Sequence, residues 1–96
     1  MEAPSPKVYY SRHALQRIDE REISVEEVLA VLLKNDVIKA YPDDKPYPSR
    51  LFLGFPEGRP VHVHASFDTI VDSWCIITAY EPDPEKWEPD FRRKKQ

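Results

Sequence analysis

Two hydrophobic periods divide this chain. Over residues 11–34 apolar side chains recur at helical spacing: Ala14, Leu15 and Ile18, then Val25, Val28, Leu29, Leu32 and Leu33. Stripes of this kind predict amphipathic helices that each bury one face. Ser11 stands where the first helix needs an N-cap, and Ser24 with Glu27 three residues later forms a capping box for the second. Only Arg21-Glu22-Ile23 separates them, so a helical hairpin or corner is expected. From Val37 the period shortens to two. Val37 to Tyr41, then Leu51, Leu53 and Phe55, then Val61, Val63, Ala65 and Phe67, then Trp74 to Tyr80 read as strands. Lys7 to Tyr10 could start a further short strand. Pro56-Glu57-Gly58-Arg59 and residues 68–73 supply turns. Pro42, Pro46 and Pro48 keep the stretch between the first two predicted strands out of a sheet interior and predict an exposed, extended loop. The pattern predicts an α+β fold: two N-terminal helices packed on one antiparallel β-sheet of about four strands.

The totals narrow the class. At 96 residues there is room for one domain, residues 1–96, with a tail over 1–6 and a basic tail over 92–96. An apolar content of 41% with 11% aromatics is that of a folding chain, because a disordered one lacks the apolar surface to offset its ordering entropy. Ten prolines against two glycines predict stiff connections. From Glu81 the prolines break the pattern, leaving one helical turn pinned by Trp87 and Phe91. Cys75 is alone, which excludes an intramolecular disulfide, and its apolar neighbours suggest a small buried hydrophobe. The first residues have neither the basic nor the apolar region of a signal peptide, and no apolar run reaches the roughly 18 residues of a membrane span. A cytoplasmic location without membrane association is therefore expected. A net charge of −3 argues against an indiscriminate nucleic-acid binder. Basic residues are nevertheless clustered, at Arg12 to Arg21 and at Arg92 to Lys95.

Three groups of residues could carry chemistry. His13, Arg17 and Arg21 follow at steps of four and share a helix face, where guanidinium forks beside an imidazole suit a phosphate. The alternative is a solvated face with its arginines paired to Asp19, Glu20 or Glu22. His62 and His64 flank Val63 and so point to the same face of a strand. That pair could hold a transition metal, supply a general acid or base, or simply belong to the sheet. A structural zinc site wants further ligands that this chain offers only sparsely, so neither metal nor cofactor is expected. The third group is the proline-stiffened loop, which presents Lys45, Tyr47 and Arg50 at low ordering cost. There Tyr47 could stack on an unpaired base with Arg50 on a phosphate, or pack against the domain edge.

The ordered runs HALQRIDEREIS, YPDDKPYPSRLFLGF, RPVHVHA and IITAYEPDPEKWEPDFRRKK, spanning about residues 11–95, resemble a bacterial domain family of unknown function. That family is grouped with the RelE/ParE-like and BrnT-like toxins of type II toxin–antitoxin systems. The resemblance implies a helical pair on a curved antiparallel sheet and metal-independent RNA cleavage, in which the ribose 2′-oxygen attacks the adjacent phosphate. On that scheme His62 is the general base or acid, Arg17 and Arg50 clamp the phosphate, and His13 is a reserve proton carrier. Tyr47 or Tyr80 stacks on a base, with Lys45 and Arg21 as further substrate contacts. Implied partners are RNA or the ribosome, a cognate antitoxin, and a second copy in a homodimer. A non-catalytic protein- or nucleic-acid-interaction module is the competing reading. In two places the chain departs from the family's pattern. Glu22 stands where glycine is expected, which predicts strain if that residue is left-handed. His64 replaces an expected aliphatic residue.

Overall fold

The side-chain oxygens named as caps do cap. Ser11 Oγ accepts from the Ala14 amide at 3.0 Å, and the Ser24–Glu27 capping box closes in both directions at 3.0 and 3.1 Å. In the computed structural model, which describes residues 7–96, these caps open helices α1 (Arg12–Glu20) and α2 (Val25–Lys34). The N-terminal tail expected over residues 1–6 lies outside the described residues. Between the helices Glu22 adopts φ 56°, the left-handed conformation that glycine takes without cost. Its carbonyl accepts a 2.6 Å hydrogen bond from Arg59 Nη2, while the same guanidinium grips Glu27 at 3.1 and 3.2 Å. Arg59 thus ties the strained corner and the second cap to the far side of the chain.

The strands are β1 (Lys7–Tyr10), β2 (Val37–Tyr41), β3 (Ser49–Gly54), β4 (Val61–Asp68) and β5 (Ser73–Tyr80). They form one five-stranded open sheet in the order β1-β5-β4-β3-β2. The expectation of about four antiparallel strands is corrected in number and in direction. β2 to β5 form the expected antiparallel meander, but β1 adds a fifth strand, parallel to β5, pairing Lys7 with Ser73 through to Tyr10 with Ile76. The first strand of the described chain joins the last, a pairing that no local turn signal announces.

Both helices cover one face of the sheet. Ile18, Ile23, Val28, Val31 and Leu32 pack there on Phe52, Val61, Val63, Ala65, Ile76 and Ala79. Trp74 meets the Phe52 ring edge-on at 5.4 Å, which is a favourable geometry for ring quadrupoles. Alternation sends the intervening residues to the opposite, helix-free face: Tyr41, Ser49, Leu51, Leu53, His62, His64, Ser66, Cys75, Thr78 and Tyr80. Cys75 is accordingly exposed, not buried as its apolar neighbours suggested. The segment after β5 folds back over one half of this face. It makes a single turn at Asp83–Trp87, where the Lys86 and Trp87 amides donate to the Asp83 carbonyl at 2.9 and 3.0 Å, and a short hairpin pairs Trp87 with Lys94. Among the described residues no helix is long and apolar enough to cross a membrane.

Gly54 shows how tightly the two layers meet. A Cβ placed there would lie 2.8 Å from Val31 Cγ2 and 3.3 Å from the Val31 backbone, both inside ordinary contact. Gly54→Ala should therefore destabilise the fold by about 1–3 kcal/mol, measured as a lower urea midpoint at unchanged slope. A neutral or stabilising substitution would mean that α2 packs on β3 more loosely than described.

Candidate functional site

His62 and His64 leave β4 on the same face, yet they meet opposite environments. His62 is fully buried, roofed by Trp87 at a ring-centroid distance of 4.4 Å and flanked by Tyr80 at 5.2 Å. Its Nε2 lies 2.8 Å from the Phe91 carbonyl, which can only accept, so Nε2 carries the hydrogen. Nδ1 is then the acceptor for the Tyr80 hydroxyl at 3.2 Å. Both nitrogens are engaged and neither reaches water. Burial pushes the His62 pKa below 6.5, against the opposing pull of the Phe91 carbonyl. The residue expected to carry protons instead holds down the C-terminal segment. Arg92 fixes that segment a second time, with two hydrogen bonds to Asp36 at 2.7 and 3.0 Å, and Phe91 packs edge-on against Phe55 at 6.5 Å.

His64 stands on the open half. Asp44 Oδ2 lies 2.6 Å from Ser49 Oγ, which lies 2.8 Å from His64 Nε2. The carboxylate accepts the one hydroxyl hydrogen, so Ser49 Oγ must accept from Nε2–H. That arrangement leaves a lone pair on Nδ1 of the neutral ring, with no hydrogen-bond partner for it among the described residues. The His64 pKa is lowered by burial and partly restored by the Asp44 charge. Asp44 is itself lowered, chiefly by the Ser49 hydroxyl and then by the Lys45 amide. Ser49 is 1% exposed, so it orients the imidazole and is not within reach of a ligand.

Tyr41 lies against the His64 ring with a centroid distance of 5.2 Å, and the Lys39 ammonium lies 5.2 Å from the Tyr41 ring centre. Two shallow grooves meet at this phenol. One, of about 490 Å³, is lined by Ala40, Tyr41, Pro42, Asp43, Asp44 and His64. The other, of about 280 Å³, runs past Lys39, Leu51 and Trp87 to Arg92, Arg93 and Lys94. One end is thus anionic around an imidazole, the other cationic, with an aromatic ring between them.

The remaining candidate residues are dispersed. Arg50 pairs with Ala65, so alternation places it on the helix side of the sheet, across from His62. Arg17 is exposed on α1, 3.4 Å from His13 Nε2 and 3.6 Å from Glu20. Arg21 leaves that helix face to donate to Thr78 Oγ1 and the Ala79 carbonyl at 3.1 and 2.8 Å, capping the free end of β5. The Tyr47 hydroxyl is held by Asp68, whose hydrogen bond raises the phenol pKa, and Lys45 is exposed on the loop. The structure does not gather Arg17, Arg50 and His62 into one site. The residues it does gather, Asp44, Ser49, His64, Tyr41 and Lys39, include several that sequence reasoning passed over. The same-face spacing of His62 and His64 was the one available signal, and it pointed equally to both.

The pH dependence of stability follows from the sign of these shifts. A histidine whose folded pKa is depressed binds fewer protons when folded than when unfolded. Its contribution is intact above the ordinary value of 6.5 and is lost as pH falls below it, toward the depressed folded value. Asp36, lowered chiefly by Arg92, adds a second loss beginning below its own ordinary 3.8. Denaturation midpoints should therefore fall as pH drops from 7 to 5, and His62→Gln should flatten that slope while lowering stability at pH 7. An unchanged slope in the variant would show that the His62 ring is not sealed.

No curated protein and no solved structure matches this chain. A family model does match, over residues 10–81, which takes in everything from the end of β1 to the end of β5 and stops short of the segment that covers His62. The chain belongs to the family described as Domain of unknown function (DUF4258).

Proposed function

We propose that the open half of the helix-free face binds single-stranded RNA and cleaves it without a metal, with His64 as the proton acceptor. The observation that carries this reading is the Asp44–Ser49–His64 chain, which presents an oriented neutral imidazole beside an accessible aromatic ring. Transesterification needs a base for the ribose 2′-hydroxyl, a cation near the phosphate and a surface for the base. Nδ1 of His64 supplies the first, and a pKa below 6.5 keeps it unprotonated at neutral pH. As the imidazolium forms, the Ser49 hydroxyl passes the pull of the Asp44 carboxylate to Nε2–H, much as a carboxylate supports the histidine of a hydrolase triad. Tyr41 offers its ring to a base, and Lys39, Arg93 and Lys94 offer positive charge to the backbone. The phenol of Tyr41, packed against the imidazole, returns a proton to the leaving 5′-oxygen on this reading. This reading keeps the metal-independent chemistry implied by likeness to RelE/ParE-like and BrnT-like toxins but moves the proton carrier from His62 to His64. Its partners would be RNA, free or on the ribosome, and a neutralising antitoxin.

One observation favours a second reading. Asp43 and Asp44 line the groove beside His64 and repel a phosphate that comes too close. A non-catalytic module that takes a basic peptide segment into that end would use the same geometry.

Purified protein incubated with single-stranded RNA in the presence of a chelator separates the two. On the catalytic reading cleavage yields 2′,3′-cyclic phosphate ends and His64→Ala lowers the rate by roughly 10²–10⁴-fold, whereas His62→Gln retains activity at temperatures where it is folded. Lys39→Ala should weaken RNA binding several-fold and reduce its salt dependence. Intact RNA with wild-type protein, alongside binding of a basic peptide that Asp43→Asn weakens, would replace catalysis with the second reading.

A further inference from the structure

Helix α2 carries apolar side chains on two faces. Val28, Val31 and Leu32 enter the core, while Val25, Leu29 and Leu33 recur every four residues on the outer face and are 43%, 37% and 62% exposed. Beside the N-terminal end of that stripe lies an apolar groove of about 540 Å³ between the helices. Its floor includes Leu15, Ile18, Ile23 and Val25, and Arg12 and Asp19 stand among its lining residues. A continuous apolar stripe next to an apolar groove is the kind of surface a soluble chain leaves for a partner.

We propose that a second copy of this chain fills it, with the two α2 helices packed antiparallel about a twofold axis at Leu29. The surface is self-complementary on three counts. In an isologous pair each position before the axis residue meets the position equally far after it. Val25 and Leu33 lie four residues to either side of Leu29, about 6 Å along the helix in each direction. Leu33, the most exposed of the three, then projects over Val25 and into the groove of the other copy. The spacing is that of the i±4 ridges that interlock when two helices cross obliquely. Charge gives the direction. α2 has Glu26 and Glu27 in its first turn and Lys34 in its last, and Glu27 is already bound by Arg59. Antiparallel packing sets Lys34 of each copy on the same flank as Glu26 of the other and opposes the helix dipoles. Parallel packing would set lysine against lysine and glutamate against glutamate. The axis lies on the helix side of the sheet, so His64 and Tyr41 stay open in the dimer, and this interface does not rest on the proposed RNA chemistry. With so short a stripe the contact falls at the small end of interface sizes, and a dissociation constant on the order of micromolar is expected.

Sedimentation equilibrium between roughly 1 µM and 1 mM reads the mass directly against the 11.3 kDa of one chain. Wild type should move to twice that mass with rising concentration, and Leu33→Glu should raise the dissociation constant at least tenfold. The charge pair supplies a control that leaves the apolar surface intact. Glu26→Lys and Lys34→Glu should each weaken self-association, and mixing the two variants should restore a heterodimer, because every contact then joins opposite signs. A monomeric wild type at 1 mM would overturn the proposal, leaving the stripe to a partner of another kind. So would a dimer indifferent to Leu33→Glu, or charge variants that fail to rescue each other.

Discussion

The hydrogen bond from the His62 imidazole to the Phe91 carbonyl decides which part of this molecule can meet a ligand. Helices cover the core of one face of the sheet, and the proposed RNA site lies on the other. The C-terminal segment closes half of that face by placing Trp87 over His62 and Arg92 on Asp36. An uncharged, fully bonded imidazole can be buried there at little cost, whereas a charged or half-bonded one could not. Among the described residues every buried side-chain nitrogen and oxygen has a partner, so the closed half is a finished interior. What remains open is the strip from Tyr41 across His64 to Thr78.

Identical side chains two residues apart thus do different work because their surroundings differ. His62 has a carbonyl and a phenol as partners and no water. His64 has a hydroxyl on one nitrogen, a carboxylate behind that hydroxyl, and a free lone pair on the other. Polarity is arranged along the strip as well. The carboxylates of Asp43 and Asp44 lie at one end and the ammonium groups of Lys39 and Lys94 at the other. A polyanion such as RNA is drawn to the cationic end, and its backbone must stay clear of the Asp43 and Asp44 carboxylates at the other.

Much of the frame was legible in the chain. Ser11, Ser24 and Glu27 announced both helices through capping chemistry that is local and strongly directional. The alternation of Leu51, Leu53, Val61 and Val63 announced a sheet, and the expected strain at Glu22 appears as a positive φ held by Arg59. Three features were not legible, for a shared reason. The parallel pairing of β1 with β5, the burial of His62 under Trp87 and the approach of Asp44 to Ser49 all join segments through space. Period-two alternation fixes which face a residue points to and says nothing about what later covers that face. His62 and His64 were therefore indistinguishable, and Arg50, one step out of phase, was bound to point away from both.

Ring-nitrogen NMR of the two imidazoles, recorded while a short single-stranded oligoribonucleotide is titrated in, tests the central assignment most directly. His64 should show the Nε2–H tautomer, titrate below 6.5 and shift on RNA addition, with His62 unmoved. A His62 ring that responds to RNA while His64 stays silent would contradict the account, because the sealed half of the sheet would then be the half that binds.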